Sequence, residues 1–408
     1  MLKINRIAIV WESHDAGGVN SYLRYLLQSS SFLDKKITIF TNSNNRGAKY
    51  LIKDLKNQKN INFVYFNSFF VFHRKRIFAE KILYYFLKPI LLLITFFKFK
   101  KILLKYDFDV FLCCCGNYGN FRSEQAAAIA AKKSKIPVIS MVVHHACEKP
   151  PPLMGYVFKI IDHILSKTLT SLITVSKATE ETLLNNSNLL DNGKLKNHVI
   201  HNGVPKNEYL KKDYLNFNLE ESSGKLLKIG MVSRLTPDKG HEDLLKAFFE
   251  LPEKYKEKMI MIIVGEDERN QKKKLINLST KLNLKNKIEF LDYIDLDSKK
   301  IILSLDLFLS LTRSYEGFGL SIAEAMSVGT PVLATDVGAV SEFFDKDYGK
   351  LIKSGDIEDI KNSLIDFCDN KKNWEHKAKM AKVRIEKYFN SEIMGSNYFS
   401  HFSSLLKK

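Results

Sequence analysis

A stretch near the C-terminal third of the chain sets most of what it can fold into. Leu307 to Thr312 (LFLSLT) is short, apolar and bounded, the pattern of a parallel strand buried on both faces. Pro331 to Thr335 (PVLAT) reads the same way. Between them Leu320 to Val328 has helical spacing, and Gly329 with Pro331 supplies the stop. The unit is strand, glycine-bearing loop, short helix, strand. In an open α/β sheet the loop at the carboxyl end of a strand faces the ligand crevice. Gly317 and Gly319 let backbone amides approach a ligand closely, and a helix N-terminus there favours an anion. Glu316 and Glu324 flank that point. Ser321–x–x–Glu324 also spells a capping box, which would make Glu324 structural.

The spacing of Glu316 and Glu324 inside EGFGLSIAEAMSVGTPV resembles the signature of retaining glycosyltransferases of family four, which have the two-domain GT-B fold. The resemblance implies that Glu324 binds the nucleotide ribose and that Glu316 contacts the donor sugar. Gly317, Phe318, Gly319 and Leu320 would then offer backbone amides to the diphosphate. It covers nearly the whole chain, and the fold expected is α/β, two Rossmann-like parallel-sheet domains facing a central cleft.

Earlier in the chain, Ile7 to Val10 (IAIV) reads as a buried strand. Gly17–Gly18 ahead of a helical pattern from Val19 is similar to the family's first loop, where a glycine pair sits beside the donor phosphates and the acceptor. Any tight turn would also use such a pair. Glu12, His14 and Asp15 are the polar groups on that loop suited to an acceptor. Ile37 to Thr41 and Ile61 to Phe66 continue the alternating rhythm of a parallel sheet. Asp109 to Cys115 and Val138 to Val143 are strands, with a helix from Glu124 to Ser134 between them. The second runs into His144–His145. The resemblance implies a histidine at this strand end that reaches the sugar; His144 fits the position better, and His145 is the alternative and an acceptor contact. A strand-end histidine satisfied by backbone is the structural alternative. Leu172 to Val175 with Ser176–Lys177 reads as strand then capped helix, and VIHNGVP matches the segment that ends the family's first domain.

Lys206 to Lys225 is polar and punctuated, a linker by composition. LLKIGMVSRLTPDKGHEDLLKAF then opens a second series of units: strand Leu227 to Val232, helix His241 to Glu250, and Arg234 and Lys239 on the loop joining them. Two fixed cations at the carboxyl end of a strand suit a diphosphate, Arg as a fork and Lys as a point charge. The family uses this Arg and this Lys in that way; a solvated Arg and a plain Lys–Gly turn are the alternatives. After the strand Met259 to Val264 the chain has Gly265–Glu266–Asp267 where the family often has Gly–x–Gly, and Asp292 stands where glycine is more usual. Both departures lie where the base would sit and leave its identity open. Asn390 to Leu406 has apolar positions at helical spacing, where GT-B proteins carry a final helix crossing back to the first domain. The expected organisation is therefore 1–205 for the acceptor, 206–387 for the donor and 388–408 for the returning helix.

The formal net charge of +18 over 408 residues calls for a polyanionic partner, an anionic membrane or an acidic substrate. Phe69 to Tyr106 is apolar, aromatic and basic together, with Glu80 almost its only acid. Its uncharged run Pro89 to Phe97 is too short to span a bilayer, which takes about 20 residues. Lys88, Lys98, Lys100 and Lys101 bracket it, as on a helix lying in an anionic interface. Core helices with snorkelling lysines are the alternative. Nucleic acid is not expected as a partner, because no binding motif accompanies the charge. Five cysteines, three adjacent in an apolar run, point to reduced thiols buried as small hydrophobes. No cleavable apolar segment precedes the first strand, so a cytoplasmic protein, peripheral on the inner face of the membrane, is expected.

The function implied is transfer of a hexose-type sugar, with retention, from a nucleoside diphosphate sugar to a hydroxyl of a glycan or glycolipid in bacterial envelope polysaccharide biosynthesis. Arg234, Lys239, Glu316 and His144 would be catalytic. No cofactor and no metal are expected, the nucleotide sugar being a substrate. A metal-dependent transferase of the other common fold would need an Asp–x–Asp pair; Asp107–Phe108–Asp109 and Asp295–Leu296–Asp297 have that spelling, which caps and turns also explain. A non-catalytic nucleotide-sugar or membrane module of the same fold and a sugar phosphorylase are the competing functions.

Overall fold

Short runs of apolar residues too brief for helices become the strands. In the first half these are β1 (Arg6–Trp11), β2 (Lys36–Asn42), β3 (Ile61–Phe66), β4 (Val110–Cys115), β5 (Val138–Val143), β6 (Ser171–Thr174) and β7 (Asn197–Val199). They form a seven-stranded sheet in the order β3-β2-β1-β4-β5-β6-β7. The second half supplies β8 (Leu227–Val232), β9 (Met259–Val264), β10 (Ile288–Leu291), β11 (Leu307–Ser310), β12 (Val332–Thr335) and β13 (Lys350–Ile352), ordered β10-β9-β8-β11-β12-β13. Each of the paired strands runs parallel, so the connections are crossovers, mostly helical, that cover the sheet faces. β4, β5 and β9 are buried at every position, which is why they lack the alternation of a half-exposed strand.

This computed structural model describes residues 4–14, 16–70, 78–120, 122–150, 154–191, 193–206, 226–267, 270–291 and 298–407. It divides into two compact units, one of 1–202 with 391–408 and the other of 203–390. The last helix, Ser391–Leu406, packs within the first unit against the helices Gly18–Leu27 and Ser30–Leu33. Each unit is a doubly wound sheet whose strand order reverses once, between β1 and β4 and between β8 and β11. At such a reversal the flanking helices diverge to opposite faces and leave a crevice at the carboxyl ends of the strands.

Among its described residues the basic and aromatic segment contains one helix, Phe78–Leu103, with Pro89 inside it, rather than a pair. Phe99 and Leu103 enter the core, while Ile90, Leu93 and Phe97 are 54%, 60% and 64% exposed. Arg74, Lys75 and Arg76 lie outside the described residues. Among those described, no helix is long and apolar enough to cross a membrane. Cys113, Cys114 and Cys115 are buried along β4, where burial pushes their thiols up. Of the two Asp–x–Asp spellings, Asp295–Leu296–Asp297 lies outside the described residues. In the other, Asp109 accepts from the backbone N–H of Asn5 and Arg6 at 2.7 and 2.8 Å, and Asp107 pairs with Arg6. Those carboxylates hold the start of β1.

Candidate functional site

In the second unit the loops after β8 and β11 meet at the strand-order reversal. Lys239 Nζ lies 2.5 Å from Glu316 Oε1, and the buried Thr312 hydroxyl donates to the same oxygen at 2.6 Å. Thr312 Oγ1 is in turn 3.3 Å from Lys239 Nζ, closing a triangle. A crevice opens beside it, lined by Met231, Ser233, Lys239, Thr312, Glu316 and Ser321 among others. Ser321 stands in the first turn of helix Leu320–Val328, whose N-cap is Gly319 at φ +91° with no side chain capping it. The Ile322 and Ala323 N–H groups donate to the Gly319 carbonyl at 3.0 and 3.1 Å, and no side chain takes the amides ahead of them, at the helix end that favours an anion.

Close backbone packing holds the triangle in place. A Cβ on Gly240 would stand 2.1 Å from the Leu311 carbonyl, so the Lys239–Gly240 turn lies directly against the end of β11. Gly338 has φ +58°, and a Cβ there would stand 2.2 Å from the Glu316 carbonyl; the Ala339 N–H donates to that same carbonyl at 2.9 Å. Phe318 is buried, its ring stacked on Phe343 at 4.6 Å, so its side chain belongs to the core. Arg313 joins the loops from the other side. Its N–H donates to the Asp238 carbonyl at 2.7 Å, and its guanidinium forks onto the buried Asp243, with Nε donating to Oδ2 at 2.7 Å. Arg234 is exposed on the loop after β8, outside the crevice lining.

The structure corrects the capping-box alternative for Glu324. The helix begins at Leu320, so Ser321 lies inside it and cannot act as its N-cap. Glu324 is buried one turn further on, and its Oε2 accepts from Ser298 Oγ at 2.8 Å. It does not line the crevice. Asp292 lies outside the described residues.

In the first unit Gly17 is the N-cap of helix Gly18–Leu27 with nothing within 4 Å of its Cβ position, so that helix also starts open. His14 is exposed on the preceding loop, and Asp15 lies outside the described residues. Glu12 requires a correction, because it turns inward rather than toward an acceptor. Its carboxylate accepts from the Ser123 N–H at 2.9 Å, from Ser123 Oγ at 3.0 Å and from Ser68 Oγ. Its own N–H donates to Glu124 Oε1 at 2.9 Å. Burial raises both carboxyls, with Glu124 pushed up to about 8 by burial and then by the Glu12 charge. His144 and His145 are told apart. His145 is exposed, whereas the His144 ring lies edge-on to Tyr22 of the Gly18 helix at 4.3 Å, and its Nε2 is buried. Burial holds its pKa down at about 3, so the ring is neutral near pH 7.

Sequence reasoning missed Thr312, Arg313, Asp243, Gly338 and Ser298. Only Gly338 carried a signal, a glycine in the loop after a buried strand. The others meet partners far away in sequence: Lys239 for Thr312, Asp243 for Arg313 and Glu324 for Ser298.

Residues 216–385 match the family model described as "Glycosyl transferases group 1". An uncharacterised glycosyltransferase of Methanocaldococcus jannaschii is 27% identical over 74% of this chain and 77% of its own length. The O-antigen biosynthesis glycosyltransferase WclY of Escherichia coli is 28% identical over 52% of this chain and 57% of its own. The capsular polysaccharide biosynthesis glycosyltransferase CapM of Staphylococcus aureus is 25% identical over 62% and 66%. Among solved structures, a glycosyltransferase from Rickettsia africae superposes with a TM-score of 0.74 at 20% identity, covering 100% of both chains. Anabaena Alr3699/HepE in complex with UDP and glucose superposes with a TM-score of 0.75 at 18% identity over 98% of this chain and all of that one. Two Rossmann-like parallel sheets give the chain a fold of GT-B type, and its second unit carries the match to the group 1 glycosyl transferases.

Proposed function

We propose that this glycosyltransferase moves a hexose-type sugar from a nucleoside diphosphate sugar to a hydroxyl of a glycan or glycolipid acceptor, with retention, in bacterial envelope polysaccharide biosynthesis. The observation that carries the reading is the Lys239–Thr312–Glu316 triangle beside the uncapped start of the Leu320 helix. With an oxocarbenium-like transition state, negative charge develops on the departing diphosphate. Lys239 on the crevice wall, Arg234 on the same loop and the start of the Leu320 helix supply the positive groups that stabilise it. Glu316 then serves two states: it holds Lys239 in place while the crevice is empty and meets the sugar once the diphosphate takes the lysine. Glu324 is the residue for the ribose and His144 the neutral hydrogen-bonding ring for the sugar. The UDP complexes of HepE and the O-antigen and capsule roles of WclY and CapM support the donor class and the pathway.

The membrane-docking surface that would bring the enzyme to a lipid-linked acceptor is the outer face of the Phe78 helix. Ile90, Leu93 and Phe97 are exposed beside Lys98, Lys101 and Lys105, an apolar row next to a basic one. Such a face suits the cytoplasmic leaflet, where each basic side chain near anionic lipid contributes about 1 kcal/mol. A thermal-shift screen of nucleotide sugars followed by release of nucleoside diphosphate with acceptor present tests the reaction. Unchanged turnover in excess chelator is the outcome expected for diphosphate neutralisation by Lys239, Arg234 and the amides, and loss of turnover there overturns that part.

A further inference from the structure

We infer that the helix Gly155–Thr168 is a second half of the membrane-docking surface, so that the first unit meets an anionic bilayer through two helices rather than one. This rests on the membrane reading of the Phe78 helix given above. The Gly155 helix was not singled out by composition, since no aromatic–basic run surrounds it. Its folded face is nevertheless of the same kind. Tyr156, Ile160 and Ile164, four residues apart and therefore on one stripe, are 78%, 46% and 41% exposed. Beside them Lys159, His163 and Lys167 form a parallel exposed row. The single carboxylate of the helix, Asp162, faces the other way. It is buried, accepting from Tyr118 Oη at 2.6 Å and from the Asn188 N–H at 2.8 Å. Its outward face thus carries apolar and basic groups and no acid, the complement of an anionic lipid surface and not of another basic protein.

The two faces look out from the same layer. The crossovers β3 to β4, β4 to β5 and β5 to β6 all advance in the same direction along the sheet, and right-handed connections put their helices on one side. The helix Ser123–Lys133 lies between the other two and is buried almost throughout. Phe99 and Leu103 of the Phe78 helix, Ala127 of the Ser123 helix, and Phe158 and Leu165 of the Gly155 helix share one core cluster. With their inward faces joined there, the exposed stripes of the first and third helices flank a common outer surface. Exposed apolar side chains in two rows on one side of the sheet are costly in water and useful only where something covers them.

The test uses the full chain and vesicles of phosphatidylcholine with or without phosphatidylglycerol. The triple variant Tyr156→Ser, Ile160→Ser and Ile164→Ser is compared with Leu93→Ser and Phe97→Ser on the Phe78 helix. Because the three side chains face solvent, its thermal midpoint should match the parent; if it does not, Lys159→Glu with Lys167→Glu carries the test instead. The expected result is binding of the parent that grows with anionic lipid, and a loss of about tenfold or more in affinity for either helix's variant. A parent that binds such vesicles and a Gly155-helix variant that binds equally well overturn this inference and leave the Phe78 helix alone in the role. A parent that binds no vesicle overturns the membrane reading itself. A parent dimer in sedimentation velocity that the triple variant abolishes assigns the stripe to a second copy of the chain, and overturns the inference in that way.

Discussion

The two sheets reverse strand order at the same place, and the two reversals are used in opposite ways. Between β8 and β11 the crevice is open, and the side chains around it form an ion pair, Lys239–Glu316, that a substrate can exchange. Between β1 and β4 the corresponding position is filled. Glu12 follows β1, and Ser123 and Glu124 begin the helix after β4; together they form a buried network of hydrogen bonds. The glycine-led loop of the first unit is therefore anchored by carboxyls that titrate. That of the second unit is anchored by backbone packing at Gly240 and Gly338, which does not. The same strand order yields an open crevice in one case and a filled, hydrogen-bonded position in the other, according to whether the side chains following the strands satisfy one another.

The largest effect that would break this contrast is on chemistry. Lys239→Ala should lower kcat/KM by about two powers of ten, the rough equivalent of 3 kcal/mol for a lost charge-assisted contact to a developing anion. Steady-state kinetics with unchanged thermal stability checks it, and near-full activity would remove the lysine from the site. Gly338→Ala comes next. The methyl would collide with the Glu316 carbonyl at a φ that side chains disfavour, so a stability loss of about 2 kcal/mol is expected in urea unfolding. Arg313→Ala leaves Asp243 buried without its fork; since the arginine is 42% exposed, the expected loss is about 1 to 2 kcal/mol rather than the full cost of a buried pair. Gly17→Ala is the opposite of Gly338→Ala: its backbone is extended and its Cβ position empty, so stability should hold within about 0.5 kcal/mol. A large loss of stability there would mean that the first loop is packed as tightly as the second.

The last prediction is a sign rather than a size. Glu124 has its folded pKa raised to about 8 from an ordinary 4.5, so the folded state holds the proton more tightly than the unfolded chain. Its contribution is fully present below about pH 4.5 and is lost as pH rises through about 8. Glu124→Gln keeps an oxygen for the Glu12 N–H and has no proton to lose. Measured against pH, the unfolding midpoint of the parent should fall relative to this variant between about pH 5 and 8. His144 and His241, whose pKa values burial lowers to about 3 and 4, act on the acid side in both proteins and cancel in the comparison. Parallel curves would show that the first unit's anchor does not titrate.

Taken alone, the sequence determined the architecture. Apolar runs such as VISMVV and MIMIIV are too short for helices and too uniformly apolar for exposed strands, so a buried parallel sheet is their physical outlet. Glycine-led helix starts after strands were legible for the same local reason, as were Arg234, Lys239 and Glu316 on their loops. What only the tertiary structure decided is which polar groups face each other. Glu12 and Glu124 look equally available in sequence, yet their partners across 111 and 112 residues turn both inward. Thr312 and Arg313 look like ordinary loop residues until Lys239 and Asp243, some 70 residues away, meet them. The outer stripe of the Gly155 helix became visible once Asp162 was seen to be buried. Local spacing encodes the elements because their periods are local, while charge pairing and exposure belong to surfaces that exist only after the chain has folded.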